Sequence, residues 1–529
     1  MAPVVLSPGS IVDGYRLEER LHQGSMAALW RVTRVDAGQA PLPLRERGWG
    51  EGGAGDSRPE TLPPPPAATA PHPNPSPSRG EGLQSGAPEP LVMKVPLLRY
   101  GDDPTAILGF EVEQMLLPLL DGPHVPRYVA SGGFETQPYI VMEQLPGEPL
   151  SAALAEAPLP AGRAADLGAR VAAALHDLHR QHLIHFDVKP SNIMFRPSGE
   201  AVLIDFGLSR LDGRPDLIAE EMHTPAGTGA YIAPEQVMRV RDDPRSDLFA
   251  LGAVLYELVT GRMPFGSPQT VRGLRRRLYR APVPPRALNP DCPPWLQEIV
   301  LGCLEVDPAA RWQSAAQVAF LLKNPDQVTL TARAERTRRD GAFTVARSWL
   351  RWLARTPAIR PSVSERLSRA PIIAVAVDLS EGESDLSEAQ RRTVGMLLGC
   401  APGARLACLM VQRVPRIGMD INVDKEGNNR HVGALVRLKH WARPLDVAPE
   451  RITYHVLEAP DAAAAILDYV RGNHVDHLVV GARGHSALRR YLGSVSSPLV
   501  AQAPCTVTVV RPAERPGVAA AEEGGPGTE

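Results

Sequence analysis

One stretch, His185 to Gly207, constrains this 529-residue chain more than any other. It reads His185-Phe186-Asp187-Val188-Lys189-Pro190-Ser191-Asn192, then the apolar run Ala201-Val202-Leu203-Ile204, then Asp205-Phe206-Gly207. A carboxylate, an ammonium and an amide fall within six positions of one loop, and a short strand then delivers a second carboxylate. The rest of the chain must supply a scaffold for both. At 529 residues it is too long for one ordinary core, so two or more domains are expected.

Composition shifts mark the divisions. Residues 12–35 read as strands. Residues 36–90 are rich in Pro, Gly, Ala and Ser, including Pro63-Pro64-Pro65-Pro66. They cannot bury enough apolar surface to offset their ordering entropy and read as a disordered insertion. Pattern resumes at Leu91-Val92-Met93-Lys94-Val95 and continues to about residue 323. Asp103 and Pro104 read as N-cap and first position of a helix through Leu120 that carries Glu111 and Glu113. Residues 137–142 read as a strand. Leu167, Val171, Leu175 and Leu178 recur at helical spacing just before the His185 loop, and Asp247 to Thr260 is an apolar helix stopped by Gly261.

Residues 324–370 form a basic linker with Arg338, Arg339, Arg347, Arg351 and Arg355, interrupted by Trp349, Leu350, Trp352 and Leu353. This suits an amphipathic helix that docks on a folded domain or touches a membrane surface. From Pro371 to about residue 511, apolar strands alternate with helices, beginning with Ile372–Asp378, which argues for a doubly wound α/β domain. Residues 512–529 read as a disordered tail.

The bulk numbers exclude several classes. A net charge of −2 gives no global field pointing to nucleic acid. The five cysteines are scattered and form no C-x-x-C pair, as expected of small apolar residues in a reducing compartment. The N-terminus lacks a basic region followed by an apolar core, and no apolar run reaches the roughly 18–20 residues of a membrane span. A cytoplasmic location follows as the expectation.

Transfer of a phosphoryl group requires the set in residues 185–207: one group to orient the attacking hydroxyl, cations to neutralise charge, and ligands to hold them. The spacing resembles that of eukaryotic-like Ser/Thr protein kinases, over residues 15–323 apart from the insertion. The resemblance implies a bilobal α+β fold, ATP and Mg²⁺, and protein substrates with Ser or Thr acceptors. It makes Asp187 the acceptor of the substrate hydroxyl proton, sets Lys189 against the γ-phosphate, and gives Asn192 and Asp205 to Mg²⁺. Lys94 matches the lysine that grips the α- and β-phosphates, with Glu113 its ion-pair partner and Glu111 the alternative. Met142-Glu143-Gln144-Leu145 matches the hinge that receives adenine, through the backbones of Glu143 and Leu145. Gly227 to Glu235 (GTGAYIAPE) resembles the end of an activation segment, in which Thr228 would bond Asp187 and Lys189, and Glu235 would meet Arg311. Asp247 matches the carboxylate that props up the catalytic loop.

Two departures stand out. Where the family has G-x-G-x-x-G, this chain has His22-Gln23-Gly24-Ser25-Met26-Ala27, so Gly24 alone remains to let backbone approach phosphate. Phe186 occupies the place of an arginine that pairs with an activation-segment phosphate, which Phe cannot do. Activity independent of such a phosphate is therefore expected.

In the C-terminal domain, Val480-Gly481-Ala482-Arg483-Gly484 follows a strand and Gly493-Ser494-Val495-Ser496 opens a helix. Together they resemble the G-x2-G-x9-G-[S/T] signature of universal stress proteins, over residues 371–511. Glycines let backbone amides near phosphates, and Asp378 matches the position that contacts a nucleotide near its base. The second gap holds eight residues, one fewer than the signature. Two readings follow from the resemblance: AMP or ATP held by Asp378, Gly481, Gly484, Gly493 and Ser494, or a tight turn and a homodimer interface. The chain thus reads as a bilobal α+β protein-kinase fold followed by an α/β doubly wound universal-stress-protein domain. Its expected function is phosphoryl transfer from MgATP to protein hydroxyls; the rival is a scaffold that binds ATP without efficient turnover.

Overall fold

The computed structural model describes residues 6–24, 26–35, 90–97, 104–222, 224–354, 370–380, 382–414, 429–482 and 493–512. The insertion read at 36–90 (but for Pro90), Asp103, Gly484, the second half of the basic linker and the tail from residue 513 lie outside them.

Alternating apolar residues on Tyr15–Gln23 (β2), Ala27–Arg34 (β3) and Leu91–Pro96 (β4) bury Leu17, Trp30, Val32 and Met93 on one face of an antiparallel sheet. Ile11–Val12 (β1), Tyr128–Gly132 (β5) and Tyr139–Glu143 (β6) complete it in the order β1-β2-β3-β4-β6-β5. Helix Pro104–Leu116 (α1) packs beneath, with Ile107, Leu108, Phe110 and Val112 buried. It stops four residues short of the expected Leu120. Pro118 cannot donate a backbone hydrogen bond, so Leu117–Leu119 tighten into a 3₁₀ turn.

The second lobe is helical. Helix Ala161–Arg180 (α2) buries Val171, Leu175 and Leu178 and feeds the short strand Leu183–Ile184 (β7). The loop that follows leads through Ile193–Phe195 (β8) to Ala201–Leu203 (β9), its antiparallel partner, and then to Arg210–Leu211 (β10), which pairs with β7. A one-turn helix, Leu217–Glu221 (α3), follows. The apolar helix Arg245–Thr260 (α4) ends at Gly261, whose φ of 67° is the left-handed conformation that closes a helix. Helices Pro294–Cys303 (α5) and Ala315–Lys323 (α6) complete the lobe, and residues 331–336 remain bonded to it through Glu298 and Gln297. Helix Ala342–Ala354 (α7) in the basic linker rests Trp352 against Tyr279.

The C-terminal unit is a five-stranded parallel sheet. Its strands are Ile372–Ala376 (β11), Arg405–Arg413 (β12), Ile452–Ala459 (β13), His477–Gly481 (β14) and Thr506–Val510 (β15), in the order β13-β12-β11-β14-β15. Helices Asp385–Cys400 (α8) and Arg430–Ala442 (α9) cover one face; Ala462–Gly472 (α10) and Ser496–Gln502 (α11) cover the other. Burial on both faces explains why β11 reads as a continuous apolar run. The apolar cluster under α8 and α9 continues without a break into the helical lobe. Among the described residues no helix is long and apolar enough to cross a membrane.

Candidate active site

The loop between β7 and β8 is held from behind by Asp247. Its carboxylate, fully buried on α4, accepts from the backbone N–H groups of His185 and Phe186 at 2.9 Å each, and lies 3.0 Å from His179 Nε2. Phe186 has φ 62°, a left-handed conformation costly for an aromatic residue, which these bonds hold in place. The strain turns Asp187 toward the cleft. There its Oδ1 accepts from Thr228 Oγ1 at 2.6 Å and Thr228 N–H at 3.1 Å, and its Oδ2 from Lys189 Nζ at 2.6 Å and Asn192 Nδ2 at 3.1 Å. Lys189 also donates to Thr228 Oγ1 at 3.2 Å.

On the opposite wall Lys94 extends from β4. Its ammonium bonds Glu113 of α1 and lies 2.9 Å from Asp205 Oδ1. Burial alone would depress the Lys94 ammonium, but Asp205 and Glu113 together hold it well above its ordinary value. Lys94 outweighs desolvation at Asp205 and lowers its carboxyl to about 2, so it is ionised at neutral pH. Glu113 is the reverse case: burial lifts it above the usual carboxylate range and Lys94 opposes the lift. Glu111, the alternative partner, points elsewhere and bonds Lys439 of the C-terminal unit at 2.6 Å. Gly207 seats α1 against the site, since a Cβ there would stand 3.0 Å from Gly109 O.

Activation-segment contacts extend the cluster. Arg311, with no exposed side-chain surface, grips Glu235 through two bonds of 2.6 and 2.7 Å, and Ser246 adds a third at 2.6 Å. Gly24 makes a tight turn, its N–H bonding Ala27 O at 3.0 Å, and a Cβ there would meet only ordinary contacts. The turn itself therefore does not demand glycine. The Glu143 carboxylate is occupied by Arg196, at 2.9 Å for the longer bond, which leaves only its backbone to a base; Leu145 follows half-buried.

Mg²⁺ takes oxygen ligands and keeps part of its shell for phosphate and water. Asp205 offers an ionised carboxylate with 44% of its side chain exposed, and Asn192 an amide oxygen in the buried loop. Among the described residues no cluster of three His, Cys, Asp or Glu forms a self-contained metal site. That donor set fits a cation shared with a phosphate.

In the C-terminal unit a cavity of about 670 Å³ opens at the carboxyl ends of β11 and β14, where the strand order reverses direction. Asp378, Gly481, Gly493 and Ser494 all line it. Asp378 accepts from Ser380 Oγ at 2.6 Å. A Cβ on Gly481 would meet Leu386 Cδ2 at 2.8 Å, so this glycine also lets α8 pack close to the sheet. Arg430 and Arg437 of α9 reach the same cavity. The sequence reading missed them with their helix, although Asn429 as N-cap and Val432, Leu435 and Leu438 at helical spacing signal it.

Fold and site together define a two-lobed unit, an antiparallel sheet over a helical lobe, joined to a five-stranded parallel α/β sheet. Residues 107–320 match the protein kinase domain family and residues 371–511 the universal stress protein family, so the chain carries a protein kinase domain followed by a universal stress protein domain. Among its relatives are serine/threonine-protein kinase PknB of Mycolicibacterium smegmatis, 33% identical over 46% of this chain and 41% of the relative. Serine/threonine-protein kinase Pkn1 of Myxococcus xanthus is 31% identical over 60% of this chain and 44% of the relative. The probable serine/threonine-protein kinase CPE1738 of Clostridium perfringens is 31% identical over 46% and 36%. The matches thus span about two-fifths of the length of these relatives.

Proposed function

We propose that the chain is a serine/threonine protein kinase that uses MgATP, with a C-terminal domain that binds an adenine nucleotide. The observation that carries the first part is the meeting of Lys94, Glu113 and Asp205 across the cleft from an Asp187 already bonded to Lys189, Asn192 and Thr228. In this reading Asp187 orients the acceptor hydroxyl and takes its proton as oxygen attacks the γ-phosphorus. The bond to the β–γ bridging oxygen breaks and ADP leaves. Lys189 balances charge on the phosphoryl group, and Lys94 holds the α- and β-phosphates. Asn192 and Asp205 would hold Mg²⁺, which when bound would neutralise charge on the phosphates. The backbones of Glu143 and Leu145 receive adenine, and Gly24 lets the β2–β3 turn approach the phosphates. All five cysteines are free, which suits a reducing compartment, and the reading keeps the chain in the cytoplasm.

Support for the second part is the cavity at the switch point, whose volume falls in the range of small-molecule sites. Asp378 and Ser494 supply polar groups there, and Gly481 and Gly493 backbone approach.

Incubation of the full chain with γ-labelled ATP and Mg²⁺, beside Asp187→Asn, tests the catalytic reading. Label in the parent and none in the variant is expected. Absence of label in both, with ATP still bound, would establish the scaffold reading instead. Equilibrium titration with AMP, read at the C-terminal domain, tests the second part.

A further inference from the structure

Two elements of the kinase domain, α1 and α3, both make charged contacts with the C-terminal domain. Glu111 and Glu113 lie two positions apart on α1, so they leave the helix about 200° apart. Glu113 turns inward to Lys94, while Glu111 turns outward to Lys439 of α9. The Lys439 ammonium also lies 5.3 Å from the Phe134 ring of the kinase domain and 5.6 Å from the Tyr454 ring of β13. One cation thus bridges the two domains over aromatic faces on both sides.

The second strap joins α3, in the segment between Asp205 and Thr228. Glu220 meets Arg405 of β12 at 2.7 Å, His455 Nε2 of β13 at 3.0 Å and Tyr469 OH of α10 at 3.3 Å; its carbonyl accepts from Asn473 Nδ2 at 3.0 Å. Glu221 lies 2.6 Å from His455 Nδ1. His455 is fully buried: its Nδ1 meets Glu221, and its Nε2 is shared between Glu220 and Thr453 Oγ1 in a place closed to water. An interface of paired, buried charges is intolerant of small displacements, because one partner left alone is costly.

Both straps start from elements that line the 670 Å³ cavity. Helix α9 contributes Arg430, Gly433 and Arg437 to it before reaching Lys439; β12 contributes Leu409 to Arg413 after leaving Arg405.

We propose that the C-terminal domain is a built-in clamp on the kinase domain, with Lys439 a positioning residue for phosphotransfer: through Glu111 it holds α1 so that Glu113 meets Lys94. The inference rests on the catalytic reading above. It gives an occupant of the C-terminal cavity a physical route to the kinase cleft, through one helix and one strand.

The test uses the full chain and its Lys439→Met variant, with Lys439→Arg as companion. Autophosphorylation with labelled ATP gives kcat and the KM for ATP; hydrogen exchange reports α1. Lys439→Met is expected to lose about tenfold in kcat and to exchange α1 amides about tenfold faster, the order for a partly shielded charge-assisted bond. Lys439→Arg should retain most of both. Parental kcat and parental α1 protection in Lys439→Met would overturn the clamp, as would a Lys439→Arg chain as impaired as Lys439→Met. A parent chain with no phosphotransfer would defeat the catalytic reading alone, since α1 exchange still decides the clamp.

Discussion

Arg241 covers Phe186: its guanidinium carbon lies 4.4 Å from the centre of the Phe186 ring. The same guanidinium bonds Asp216 Oδ2 at 2.9 Å and Leu208 O at 2.8 Å, both in the segment that follows Asp205. An arginine therefore does stand beside the catalytic loop, supplied by another part of the chain and already engaged by a carboxylate. Asp216 is thus the carboxylate partner of this arginine.

Activity should accordingly not depend on Thr224, the exposed threonine nearest this arrangement. Thr224→Ala is expected to keep kcat within about threefold of the parent, measured with labelled ATP. Arg241 Nη1 is buried without a hydrogen-bond partner, and Arg239, Arg241 and Thr224 line a cavity of about 30 Å³. If Thr224→Ala silences the enzyme and Thr224→Asp restores it, that nitrogen receives a phosphate and the expectation is wrong.

Glu113→Gln keeps the shape of the side chain and removes its charge, leaving Lys94 with Asp205 alone. The ammonium should then follow Asp205 away from the phosphates. A loss of about a hundredfold in kcat/KM is expected, the order seen when one preorganised electrostatic group is lost. Steady-state kinetics beside a thermal melt separate this from unfolding; unchanged kinetics would remove Glu113 from the site.

Arg311→Ala leaves the Glu235 carboxylate buried with Ser246 as its remaining side-chain donor. Stranding one member of a buried ion pair costs about 3–5 kcal/mol. Chemical denaturation followed by tryptophan fluorescence should show a loss of that size in the kinase domain. A loss under about 1 kcal/mol would mean that water reaches Glu235 in the variant.

The domain interface should weaken in alkali. Burial opposes the charged form of His455, but Glu220 and Glu221 overcome it and raise the imidazole from 6.5 to about 9. Arg405 shares Glu220, Thr453 Oγ1 lies 2.9 Å from Nε2, and the Tyr469 ring stands 4.9 Å away. A raised value means a contribution fully present below pH 6.5 and lost as pH climbs through about 9, on the order of 3 kcal/mol if the ring is fully released. On the acid side desolvation at Glu220 is outweighed by His455 and Arg405, which lower it to about 2; its contribution is present above pH 4.5 and lost as pH falls through about 2. Exchange protection of α3 should fall between pH 6.5 and 9.5 in the parent and stay flat over that interval in His455→Gln. A parent profile as flat as the variant's would show that the imidazole does not change charge over that interval, and the expectation would be wrong.

Much of the local architecture is legible without coordinates. The Gly261 stop of α4 and the loop bearing Asp187, Lys189 and Asn192 both follow from neighbours in the chain. Periodicity and punctuation are short-range properties, and these elements rest on them. Helix α9 went unread beside them, and α1 was drawn too long across Pro118. Between Glu111 and Glu113 the sequence left the partner of Lys94 open, because two carboxylates one helical turn or less apart differ only in the face they present.

Order and type of residue alone determined that this chain holds two families of domain, that Asn192 and Asp205 follow Asp187 within one loop and the strand after it, and that glycines punctuate a parallel sheet. Tertiary structure alone decided that Glu113 faces Lys94, that Arg241 lies over the Phe186 ring, and that Lys439 reaches Glu111 across 328 positions. Spacing along a chain sets which groups share a loop or a strand. Which distant charges end up together depends on how the buried faces of whole helices and sheets fit against each other, and that is a property of the packed molecule.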